Sequence, residues 1–134
     1  MLLVDTNIVG NLLLDGPLTP AARALYARDP DWTSEPLLLV ELTNVLVTAL
    51  RQKRLSATQA ESALARAHEL LDGYLHLTPD RQVLGVAARF DISGYDARFI
   101  CAALEIGAPL VTEDAALRRK VPAATRSLAE ALAA

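Results

Sequence analysis

The sequence predicts an α/β fold in which helices cover both faces of a small central parallel sheet. Short apolar runs such as "LLV" and "PLV" alternate with longer segments of helical period, and the strands are followed by residues suited to cap a helix. Strands that alternate with helices are joined by crossovers, which makes the sheet parallel and buries both of its faces. The third observation is composition: 52% hydrophobic and 22% charged residues in a chain of 134 describe one globular domain with a real core, spanning residues 1–134.

In order, "MLLV" is a strand ending at Asp5, with Thr6 and Asn7 placed to cap the helix "IVGNLLLD", which stops at Gly16. Thr19 and Pro20 read as the cap and first position of the helix "AARALYAR". "DWTS" is a second strand, with Ser34 as cap and Pro36 in the first turn of "LLLVELTNVLVTAL". Ser56 and Gln59 have capping-box spacing before "ATQAESALARAHELL", which Gly73 closes. "YLHL" is a third strand, and Thr78 and Pro79 open the next helix. Ser93 and Asp96 repeat the capping spacing before "ARFICAALEI", and Gly107 ends that helix. "APLVT" is a strand leading to Glu113 and Asp114, a short basic helix follows, and a last helix starts near Ser127.

Several classes of function are excluded early. No segment has the roughly 20 apolar residues of a membrane span, so no membrane partner is expected. "MLLVD" lacks the basic flank and cleavage site of an export signal, and the single Cys101 cannot form an internal disulfide. A reducing cytoplasm fits both. The formal charge of −3 argues against a nucleic-acid partner on its face. That balance changes if four of the sixteen acids belong to a metal site, for thirteen bases then face twelve acids.

Four acids stand out. Glu41 is the only charge in the fifteen residues "PLLLVELTNVLVTAL", and a carboxylate in an apolar helix needs a cation, whether a metal or a partner such as Arg23 or Arg98. Asp5 and Asp114 each follow a buried strand, where functional groups gather in open parallel sheets. Asp96 opens a helix beside the same kind of crevice. Singly, Asp5, Asp96 and Asp114 read as helix caps; together with Glu41 they repel one another, and a hard divalent cation resolves the repulsion.

These residues also carry a resemblance. "LLVDTNIV", "SEPLLLVELTNVL", "DISGYDARFICAALEIGAPLVTEDAAL" and "SLAEAL" resemble, in order and spacing, the PIN-domain ribonucleases, specifically the VapC-type toxins of toxin-antitoxin pairs. The resemblance implies a PIN-like three-layer α/β/α sandwich that uses Mg²⁺ or Mn²⁺ to cleave single-stranded or looped RNA. By position, Asp5, Glu41, Asp96 and Asp114 would be the catalytic and metal-binding acids, with Thr6 and Thr112 as polar supports. It further implies a cognate VapB-like antitoxin and a homodimer. One position departs: many relatives carry another acid where this chain has Ala116.

On this reading Asp5 and Asp114 are direct metal ligands, while Glu41 and Asp96 bind a second ion or orient the water. Phosphate contacts fall to Arg98 and to Arg118 in the "RRK" run, and Tyr95 is the aromatic best placed to stack on a base. A HAD-like phosphatase would need a second aspartate where Asn7 stands. The other alternative is a PIN-like module that binds RNA or protein without cutting it. His68 and His76 lie apart and read as ordinary helix and strand residues.

Overall fold

The computed structural model describes residues 1–71 and 75–134. Four short strands, β1 (Leu2–Val4), β2 (Trp32–Thr33), β3 (Leu110–Val111) and β4 (Thr125–Arg126), form one parallel sheet in the order β2-β1-β3-β4. Helices α1 (Thr6–Leu13), α2 (Thr19–Arg28), α3 (Leu37–Arg51), α4 (Ala57–Leu71), α5 (Asp80–Phe90), α6 (Gly94–Ile106), α7 (Ala115–Lys120) and α8 (Leu128–Ala133) flank it as a three-layer α/β/α sandwich. A 3₁₀ turn, Pro122–Ala124, leads into β4.

The central strands are apolar because both faces are covered. Leu3, Val4, Leu110 and Val111 are all fully buried, in one core with Ile8, Leu38, Leu42 and Ile100 from the helices. Each such side chain contributes roughly 1.5–3 kcal/mol on leaving water. On α3 the stripe Leu38, Leu42, Leu46 and Ala49 repeats at helical spacing and faces inward. The opposite face is open: Val40 is 67% exposed, and Asn44 and Val45 also meet solvent. The apolar sequence of α3 thus does not bury the helix on every side.

The caps largely follow the sequence. Ser56 with Gln59, and Ser127 with Glu130, form reciprocal boxes, Ser93 caps α6, and Gly107 closes α6 at φ +76°, where a side chain would be strained. Four readings are corrected. Asp5, rather than Thr6 or Asn7, caps α1. Thr19 is already helical, and its hydroxyl donates to Leu14 O and accepts from Gly16 N instead of capping α2. The Ser34 hydroxyl donates to Val4 O at 2.6 Å, so α3 starts without a side-chain cap. In "YLHL" only an isolated bridge, Leu75 with Ser34, is present among the described residues, and Leu77 is largely exposed. The expected closure by Gly73 lies outside the described residues. β4 was not anticipated: two residues carry no period to detect.

Candidate active site

β1 pairs with β2 on one side and β3 on the other. The chain thus leaves β1 toward one edge and returns on the other side, and the crevice beyond the carboxyl ends of β1 and β3 is where open parallel sheets bind ligands. Asp5 directly follows β1, and its backbone N–H donates to Val111 O at 3.3 Å. One carboxylate oxygen of Asp5 accepts from Ile8 N at 3.1 Å, capping α1, and the other accepts the Thr112 hydroxyl. The same Thr112 oxygen, fully buried, accepts from Asp114 N at 3.1 Å. Asp114 in turn caps α7 through Leu117 N at 3.0 Å. One hydroxyl therefore ties together the ends of both central strands.

The other two acids arrive on helices. Glu41 projects from the second turn of α3 and accepts the Thr6 hydroxyl at 2.6 Å. Asp96 lies in the first turn of α6, which Ser93 Oγ caps by accepting from Asp96 N at 3.0 Å. All four acids and Thr6 line a single open cavity of about 420 Å³. The capping reading and the converging reading of Asp5 and Asp114 are both realised, since a carboxylate has more lone pairs than one cap uses.

The electrostatics mark the site as unbalanced. Burial pushes the Asp5 carboxyl up from 3.8 to about 6, with the Glu41 charge adding to the rise and hydrogen bonds from Thr112, Ile8 and Asn7 opposing it. Asp96 is raised too, by burial first and then by Asp114, against Ser93 and Lys120. Among the described residues no Lys or Arg lines the cavity, and none of the four acids is in a salt bridge. No three His, Cys, Asp or Glu side chains among those residues already form a metal cage. Magnesium does not require one, because one or two carboxylates with water commonly hold it. Oxygen donors in mutual repulsion, with none of them in a salt bridge among the described residues, fit such an ion.

The expected basic residues lie elsewhere. Arg98 donates to Glu35 at 3.2 Å and to Thr78 at 3.4 Å, and it also pairs with Asp80; it is absent from the cavity lining. Arg118 donates to Thr112 O at 2.9 Å and is likewise off the lining. The two arginines expected to contact phosphate are thus engaged by other groups of the protein and lie off the cavity lining. Tyr95 does line the cavity, 67% exposed. Sequence reasoning missed Asn44, which lines the cavity one turn beyond Glu41; the i,i+3 spacing on one helix face was the available signal.

Comparisons with known proteins bear on the family and the fold. A family model for the PIN domain matches residues 2–121. The chain is similar in structure to PAE2754 from Pyrobaculum aerophilum, with TM-score 0.75 and 21% identity over 98% of this chain and 91% of that one. It is also similar to FitAcB from Neisseria gonorrhoeae, with TM-score 0.71 and 15% identity over 95% of this chain and 96% of that one. For VapBC-1 from nontypeable Haemophilus influenzae the TM-score is 0.61 and the identity 16%, over 95% of this chain and 97% of that one. At such identities the likeness is one of fold. None of the curated proteins matches.

Proposed function

The chain belongs to the PIN domain family, and on that premise we propose that it is a Mg²⁺- or Mn²⁺-dependent endoribonuclease, the toxin of a VapBC-like toxin-antitoxin pair. Nuclease activity is the general property of PIN domains. The observation that carries the reading here is the meeting of Asp5, Glu41, Asp96 and Asp114 on one cavity without a lining cation among the described residues. We take residues 1–134 as one such domain: β4 pairs with β3, and Leu128 and Ala131 of α8 belong to the main core.

Asp5 and Asp114, tied through Thr112, would hold the cation, with Glu41 and Asp96 holding a second ion or orienting water. When bound, a divalent cation supplies charge opposite the phosphate and makes water a stronger acid. Thr6 fixes one oxygen of Glu41, which leaves the other to orient an attacking water. Hydrolysis adds that water's oxygen to phosphorus, breaks one backbone P–O bond and leaves the water's proton on the departing oxygen. Asp5, titrating near 6, is mostly ionised at neutral pH and ready to bind a cation.

A cognate VapB-like antitoxin is the proposed protein partner, and a homodimer the proposed assembly. Two similar structures are named FitAcB and VapBC-1. Exposed apolar Val40 and Tyr95 beside the acids suit a partner helix that brings an arginine to the carboxylates. No helix among the described residues is long and apolar enough to cross a membrane, and a cytoplasmic site of action is proposed. The reading is tested by incubating the protein with unstructured RNA in Mg²⁺, in Mn²⁺ and in chelator. Internal cleavage only with metal supports it, and no cleavage in either metal overturns it.

A further inference from the structure

Beside the four acids, α3 and α6 bring uncharged side chains to the same cavity: Leu37, Val40 and Val45 from α3, the helix of Glu41, and Tyr95 next to Asp96 on α6. Val40 and Tyr95 each leave 67% of their surface in solvent at the mouth. Asn44 lies three residues beyond Glu41 and four beyond Val40 on α3, so all three project from one helix face. Asn44 is exposed, and among the described residues neither its amide nor the Tyr95 hydroxyl has a hydrogen-bond partner.

Sites that grip RNA by its phosphates are lined with Lys and Arg, and none lines this cavity among the described residues. The part of an RNA chain that suits uncharged groups is the base. A base is flat, packs its faces on aromatic and apolar surface, and presents donors and acceptors along its edge. An asparagine amide offers both a donor and an acceptor, so it can pair with a base edge in a way that depends on base identity. The cavity, about 420 Å³, lies in the size range of sites that enclose small organic groups.

We propose that the wall of Val40, Asn44 and Tyr95 is a subsite for one unpaired nucleobase next to the scissile phosphate. Tyr95 and Val40 pack the base, and Asn44 reads its edge. The inference rests on the ribonuclease reading above and extends it by naming what selects the cut. A base in a duplex is stacked on both sides and cannot enter the subsite, so the substrate is single-stranded or looped RNA.

The test compares the parent, Asn44→Ala, Tyr95→Ala and Tyr95→Phe on short single-stranded RNAs that differ only in the base beside one cleavable linkage. The parent is expected to prefer one base, and Asn44→Ala to reduce that preference to about twofold or less. Tyr95→Ala is expected to raise KM about tenfold, the loss typical of a stacked base, and Tyr95→Phe, which keeps the ring, to recover most of that loss. A parallel arm measures binding of fluorescent A, C, G and U octamers in Mn²⁺ to Asp5→Asn, alone and combined with each substitution. If the parent cuts nothing, the ribonuclease reading fails, and the binding arm still decides the subsite: a tenfold loss with Tyr95→Ala supports it, and unchanged binding overturns it. Parent-like base discrimination in both alanine variants overturns it as well. So does loss of protein-partner binding in those variants with RNA selectivity intact, which would make the wall a protein interface.

Discussion

The guanidinium of Arg98 lies 3.2 Å from a carboxylate oxygen of Glu35, the buried carboxylate two residues before α3. Glu35 is 1% exposed; its second oxygen accepts from Leu37 N at 2.5 Å, and Thr78 contacts the first at 3.5 Å. The pair joins the start of α3 to the first turns of α6, and Asp80 draws in the start of α5. It thereby sets where α6 presents Asp96 relative to Glu41.

Removal of either partner has unequal consequences. Arg98→Ala leaves a carboxylate buried without a cation and should cost about 3 kcal/mol. Glu35→Gln keeps the shape and the bond from Leu37, and Arg98 retains Asp80 and access to solvent, so about 1 kcal/mol is expected. Urea denaturation of both variants checks this. Equal stability of Arg98→Ala and the parent would contradict it.

Asp5 makes the metal-free protein sensitive to pH. Its carboxyl titrates near 6 when folded, against an ordinary 3.8. Between those values the unfolded chain has released the proton that the folded chain still holds, so stability falls as pH rises through the interval. The loss is complete above about 6. Melts in chelator from pH 4 to 7 should show the parent losing on the order of 2 kcal/mol more than Asp5→Asn. Metal affinity, which needs the ionised form, should rise over the same range. A parent curve parallel to that of Asp5→Asn would contradict the assignment.

Thr112 is a positioning residue that acts through Asp5 and Asp114. Thr112→Val keeps the shape and removes the donor that holds the Asp5 titration down. The acid limb of the pH–rate profile should then move toward higher pH, with a stability loss of about 1 kcal/mol. Thr112→Ser should restore the parent profile. A valine variant with an unmoved profile would reduce Thr112 to packing.

Glu41 is held by Thr6 and by no cation of the protein among the described residues. In chelator, Glu41→Gln should be as stable as the parent or more so, on the order of 1 kcal/mol, because it removes one of several crowded charges. Adding Mn²⁺ should stabilise the parent more than the variant. Thermal melts across a metal titration decide it, and a variant clearly weaker in chelator would make Glu41 a structural residue.

The parts of this molecule legible in the sequence are those set by near neighbours. The Ser56–Gln59 capping box, the Ser93 cap, the Gly107 stop and the strand ends bearing Asp5 and Asp114 depend on residues a few positions apart, and they stand where the spacing put them. The acids' shared cavity was readable because a parallel sheet directs its strand ends to one edge. Arg98 was not readable. Its partner Glu35 lies 63 positions away, and no local pattern distinguishes an arginine facing phosphate from one facing a distant carboxylate. The same holds for the exposed side of α3: "LLLVELTNVLV" looks buried on every face, while its outer apolar residues line an open cavity.

The most direct test of the central claim, that four carboxylates form one metal-dependent nuclease site, is RNA cleavage by Asp5→Asn, Asp96→Asn and Asp114→Asn in Mg²⁺ and Mn²⁺. Far-ultraviolet circular dichroism on the same samples checks that each variant is folded. Each substitution is nearly isosteric and removes one charge without leaving a cavity. The predicted result is a folded protein and loss of cleavage in all three variants. Cleavage at the parent rate by any two of them would contradict a shared site.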